Sequence, residues 1–221
     1  MVLGILTSIA ACPAIIGTTE AVRQGTKQNA KERHRGRKTN LIVECDSTLP
    51  HSGEINGSLI VLSNNKLYIA PRTASTTDET SIPDAHPFAG YYLPYPGEDF
   101  RKRGEGLVST ISDDPPQLNW IYLDEYSFEL KYGNKAESQD QTVGPFDCTM
   151  VDKRLTLDGW EGFYAVKESK EDGGKWALYF DYFNDGLNEV VEGKEMLPIE
   201  LVRRERRVEK ADENIPSEFA D

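Results

Sequence analysis

Three places where two short apolar runs flank a turn-forming stretch limit this fold most strongly. In the first, Ser58-Leu59-Ile60-Val61-Leu62 gives way to Ser63-Asn64-Asn65 and then to Lys66-Leu67-Tyr68-Ile69-Ala70. Asparagine tolerates the left-handed backbone that a tight hairpin requires. In the second, Trp120-Ile121-Tyr122-Leu123 turns at Asp124-Glu125, after which Tyr126, Phe128, Leu130 and Tyr132 alternate with Ser127, Glu129 and Lys131. That alternation predicts one buried face and one wet face. In the third, Phe163-Tyr164-Ala165-Val166 turns through Lys170 to Gly174 into Lys175-Trp176-Ala177-Leu178-Tyr179-Phe180, with Trp176, Leu178, Phe180 and Tyr182 expected on one face.

Further strands are expected at Asn40–Cys45, Gly90–Leu93, Leu107–Ile111 and Leu197–Val202. Pro198 is tolerable there only where its missing N–H faces no partner, at a strand start or an edge. Many short strands punctuated by Gly, Pro and Asn predict an all-β domain, an antiparallel sandwich or barrel built from hairpins, preceded by an N-terminal helix. Local pattern does not separate barrel from sandwich, because closure depends on long-range pairing. With 221 residues, 38% of them hydrophobic, the chain can fill one core. The expected organisation is an apolar helix over residues 1–22, a basic arm over 23–38, the β domain over 39–205 and a charged flexible tail over 206–221. Residues 72–87 and 95–106 are long polar connections.

The ends differ in charge from the body. Val2 to Gly17 carries no charged residue, and residues 1–45 hold seven Lys/Arg against three Glu, leaving 18 against 34 in the remainder. Leu3, Leu6, Ile9, Ala10, Pro13 and Ile16 recur at helical spacing. Sixteen helical residues span about 24 Å, short of the roughly 30 Å hydrocarbon core of a bilayer, and Pro13 interrupts the helix. The segment is therefore expected to dock on its own domain or a partner, or to touch a membrane surface through Leu3, Leu6, Ile9 and Ile16. Secretion is the weaker alternative, since the first residues lack Lys or Arg and the cleavage options are poor. An intracellular location is expected, with residues 2–38 contacting a membrane surface or a protein partner. A domain this acidic repels a phosphate backbone, so nucleic acid is excluded as a partner.

Three separated cysteines, Cys12, Cys45 and Cys148, make neither a disulfide framework nor a zinc site. Cys12 is a candidate lipid anchor if its segment meets a membrane. Asp181 to Glu192 resembles a calcium loop in its carboxylates and Gly186, but Phe183 occupies a ligand position, and an acidic turn is the simpler reading. Asp113-Asp114-Pro115-Pro116 reads as a turn. His34, His51 and His86 lie in the arm or beside prolines, and no nucleophile elbow, Walker loop or dinucleotide turn is present. No catalytic residue, metal or cofactor is assigned. Aromatic rings are plentiful in and beside the hairpins; most serve the core, yet such rings also line ligand pockets. The candidate ligand-binding residues are Trp120, Tyr122, Trp160 and Trp176. The turn Asp158-Gly159-Trp160-Glu161-Gly162 is the most site-like segment.

Leu6 to Ala21, the stretch Gly104 to Trp120 with Ser112-Asp113-Asp114-Pro115-Pro116, and Asp158 to Phe163 resemble an uncharacterised family of filamentous ascomycete proteins. The resemblance implies a fungal source and no activity. The reading that follows is a non-catalytic intracellular β domain tethered to a membrane surface or partner protein by its N-terminal helix and basic arm. The alternative is a small-molecule-binding β-barrel, an isomerase or hydrolase with an aromatic-lined pocket.

Overall fold

The computed structural model describes residues 35–71, 82, 84–96, 105–113, 116–169, 171, 173–187 and 190–205. The expected N-terminal helix with Leu3, Leu6, Ile9, Cys12 and Ile16, most of the basic arm, and the tail from residue 206 lie outside them. Among the described residues no helix is long and apolar enough to cross a membrane.

All three expected hairpins are present. Leu59–Ser63 (β2) and Lys66–Ala70 (β3) pair through a two-residue turn in which Asn64 (φ 49°) and Asn65 (φ 61°) are both left-handed. This is the turn whose twist matches that of the strands. Pro116–Leu123 (β7) pairs with Leu130–Gly133 (β8), and Phe163–Lys167 (β11) with Trp176–Phe180 (β12). Thr39–Glu44 (β1), Gly90–Leu93 (β5), Gly106–Asp113 (β6) and Met196–Glu205 (β13) match the remaining expected strands. Unanticipated are the two-residue β4 (His86–Pro87), the pair Phe146–Cys148 (β9) with Leu155–Leu157 (β10), and single-turn helices α1 (Ser52–Ile55) and α2 (Lys135–Ser138).

The long-range pairing makes a barrel. Nine strands run in the order β12-β11-β13-β1-β5-β6-β7-β8-β3, every neighbouring pair antiparallel, and β3 returns to β12 through Trp176↔Ile69 and Ala177↔Tyr68. β1 also pairs with β2 at Ile42↔Leu59. Pro198 faces Tyr164 of β11, while pairing of β13 with β1 begins only at Glu200, so the proline has one strand neighbour, as its missing donor demands.

Strands β2, β3 and β12 bury both faces, which the alternation rule does not anticipate. Ile60, Leu62, Leu67, Ile69, Leu178 and Phe180 point into the main core; Val61, Tyr68, Ala70, Ala177 and Tyr179 of the same strands point into a second cluster with Leu187 and Val191. Each fully buried Leu or Phe contributes about 1.5–3 kcal/mol, so this double burial fastens the β2–β3 and β11–β12 hairpins together. Trp176, Leu178 and Phe180 do share the main core, but Tyr182 lies past the end of β12 and is 39% exposed. Tyr126 also leaves the pattern. The Asp124 carboxylate accepts from the backbone N–H of Tyr126 (3.0 Å) and Ser127 (2.9 Å), and Phe128 turns left-handed (φ 55°), so β8 starts late and Tyr126 stands exposed.

Candidate functional site

The site-like turn folds for a local reason. Asp158 (φ 53°) and Gly159 (φ 77°) supply two successive left-handed residues, and Leu157 and Trp160 exchange backbone hydrogen bonds at 3.0 Å across them. Asp-Gly is a favoured pair for such a turn. A Cβ on Gly162 would overlap the Trp160 indole, so the glycine lets the ring lie against the backbone. The indole N–H donates to the Asp181 carbonyl (3.0 Å), and the Asp181 N–H to the Gly162 carbonyl (2.8 Å). The ring is thus held in place while 43% of the residue remains exposed.

Trp160 forms one wall of a surface cleft of about 550 Å³. Leu49, Phe163, Pro198 and Ile199 make its apolar lining, and Glu44, Asp46, Glu161 and Glu200 bring four carboxylates to it. Their charge is only partly offset: Arg154 pairs with Glu161 (2.8 Å) and Glu200 (3.4 Å), and Arg204 with Glu44 (3.3 Å). Asp46 accepts from the N–H and hydroxyl of Thr48, and these bonds hold its carboxyl below the usual range. Cys45 also lines the cleft, but burial and the neighbouring Asp46 push its thiol up, away from a nucleophilic thiolate.

Beyond Trp160 the surface continues onto the segment that resembles a calcium loop. There Asp181 accepts from the backbone N–H of Asp185 (3.0 Å) and Gly186 (2.8 Å), holding the turn itself. Among the described residues no group of three metal-ligating side chains is assembled. Phe183, 69% exposed, stands edge-on to Phe128 (5.6 Å) and Tyr182 (5.5 Å). The result is an exposed aromatic ridge beside the acidic cleft.

The other three candidates are placed elsewhere. Trp120 packs edge-on to Tyr95 (4.7 Å) and lies over Gly106, while Tyr122 is 7% exposed in the same small cluster with Val143. Trp176 is buried in the core and donates its indole N–H to Glu54 (3.2 Å) beneath the Lys167 ammonium. These residues do not converge on Trp160.

Sequence reasoning missed a second polar constellation. Lys66 and Lys131 sit directly opposite each other on β3 and β8, an unfavourable like-charge pairing on its own. Glu129 lies between them, accepting from Lys66 (2.6 Å), the Tyr179 hydroxyl (3.0 Å) and Ser127 (3.1 Å), with Lys131 at 3.4 Å. Burial alone would raise this carboxyl, but the Lys66 hydrogen bond and charge outweigh it and hold Glu129 below the usual range. Glu168 accepts from Lys66 (3.2 Å) and Tyr68 (3.3 Å), and burial with that carboxylate pushes the Tyr68 phenol up to about 12. The alternation read from Tyr126 to Tyr132 puts Glu129 on the wet face, so no local signal marks it.

No curated protein and no solved structure matches the chain at a significant level. The sequence model of the fungal β-trefoil domain matches residues 17–207, most of the chain and the whole of the described barrel. The protein therefore belongs to the fungal β-trefoil domain family.

Proposed function

We propose that the protein is a non-catalytic binding domain whose Trp160 cleft receives a basic side chain of a protein partner, with residues 2–38 tethering the barrel to that partner or to a membrane surface. The observation that carries this reading is the firmly held, exposed Trp160 indole facing four carboxylates. An aromatic face attracts a lysine or arginine cation, and carboxylates around it strengthen that preference. The adjoining ridge of Tyr182 and Phe183 offers apolar contact to residues flanking the cation. A cleft of about 550 Å³ also falls within the range of small-ligand pockets, so a small amine could use the same walls.

The test is a fluorescence titration of the full chain with an arginine- and lysine-containing peptide and with an acidic peptide of equal length. Salt-sensitive binding of the basic peptide alone, lost in Trp160→Ala, is expected. Equal binding of both peptides, or unchanged binding by Trp160→Ala, refutes the cleft. The tether is tested separately: a reporter fused to residues 1–40 that stays diffuse in cells, together with an unchanged distribution of the protein lacking them, refutes it.

A further inference from the structure

On the surface formed by β3, β12 and the segments flanking β12 lies a recess of about 280 Å³ with a mostly polar lining. Its base is the Lys66–Glu129–Glu168 network, in which the one ammonium joins two carboxylates and Lys131 reaches Glu129 at 3.4 Å from outside the recess. Its mouth is different. The Lys175 ammonium sits 5.3 Å from the centre of the Tyr68 ring and the Lys194 ammonium 5.9 Å from that of Tyr179. Neither lysine forms an ion pair with a described residue, in a protein with 37 acidic and 25 basic side chains.

The two tyrosines orient this arrangement. Their hydroxyls are committed to Glu168 and Glu129, which fixes the rings, and the rings in turn seat the two ammonium groups over one opening. An ammonium on an aromatic face is attracted by the ring and keeps its hydrogen-bond donors free for another group. From this geometry we infer that the recess is a second binding site, for a small oxyanion carrying hydroxyl groups. Lys175 and Lys194 clasp the oxyanion, and the base of the recess receives the hydroxyls. The site is independent of the Trp160 cleft, which shares none of its lining residues.

The test is an NMR titration of the isotope-labelled full chain with inorganic phosphate and with tartrate, at constant ionic strength maintained with chloride. Saturable shifts of the Tyr68, Lys175 and Lys194 amides are expected, weakened at least tenfold in Lys175→Ala/Lys194→Ala and unchanged in Lys153→Ala. Stronger binding of tartrate identifies a hydroxycarboxylate as the preferred class, and stronger binding of phosphate a phosphorylated compound. Shifts that do not saturate, that spread over the surface, or that survive in the double variant overturn the proposal. The spectrum of each variant reports directly whether its fold is retained.

Discussion

Removing the Glu129 side chain is expected to be among the most damaging single changes to this barrel outside its apolar core. Its carboxylate is the acceptor shared by Lys66 on β3, Lys131 on β8 and Tyr179 on β12, and so ties three strands at the point where the ring closes. Deleting one partner of a buried ion pair costs about 3–5 kcal/mol, because the remaining charge is left without compensation. Here Lys66 keeps Glu168 at 3.2 Å, and its side chain is 31% exposed, so water relieves part of the loss. Glu129→Ala should therefore cost about 3 kcal/mol, at the lower end of that range. For a chain of this size that corresponds to a fall of about 6–12 °C in Tm. Glu129→Gln retains the shape and one acceptor but not the charge, and should cost about half as much.

The assay is urea unfolding at pH 7, followed by tryptophan fluorescence and circular dichroism, repeated down the acid range. The folded carboxyl lies below its unfolded value, so its contribution is fully present above the unfolded value. It is lost as pH falls through the folded one. The gap between the natural protein and Glu129→Gln should thus be constant from neutral pH to about pH 5 and shrink below about pH 4. A cost under about 1 kcal/mol for Glu129→Ala, or a gap that persists undiminished in acid, would show that the network does not hold the strands.

Asp124 should dominate a second acid-sensitive step. Burial would raise its carboxyl, but the Lys131 hydrogen bond and the Ser127 and Tyr126 N–H groups hold it at about 2. With the solvent access of Lys131 taken into account the shift corresponds to about 1–2 kcal/mol; it is present above about pH 4 and fades toward pH 2. Asp124→Asn should flatten that part of the stability curve, as acid titration of the melting temperature would reveal. Gly90→Ala should cost about 3 kcal/mol, because the new Cβ would overlap the Phe88 ring and the Val108 carbonyl where β5 passes between β1 and β6. Gly53→Ala, with no atom within 4 Å of the added carbon, is the control and should stay within about 0.5 kcal/mol in the same thermal melts.

What could be read from the sequence followed the range of the forces involved. Asn64-Asn65 carries its own backbone preference, so the β2–β3 turn was legible and falls where expected. The β7–β8 register was not, because it depends on Asp124 capping the turn through Ser127 and on Phe128 turning left-handed, which moves Tyr126 out of the strand. The same split runs through the site. Trp160, Glu161 and the Asp158-Gly159 turn are adjacent in sequence and were visible together, whereas Glu44, Asp46 and Glu200 reach the cleft only because β1 pairs with β13. Glu129 is the sharpest case. Alternation assigns a residue to one side of a strand and says nothing about what covers that side. Its own strand reads as half wet, and only closure of the barrel brings β3 and β12 over it. A carboxylate there is stable because Lys131, read as solvent-facing like Glu129 itself, and Lys66 of the neighbouring strand are carried in beside it. The charges of these strands thus form one half-buried network because closure of the barrel brings them together.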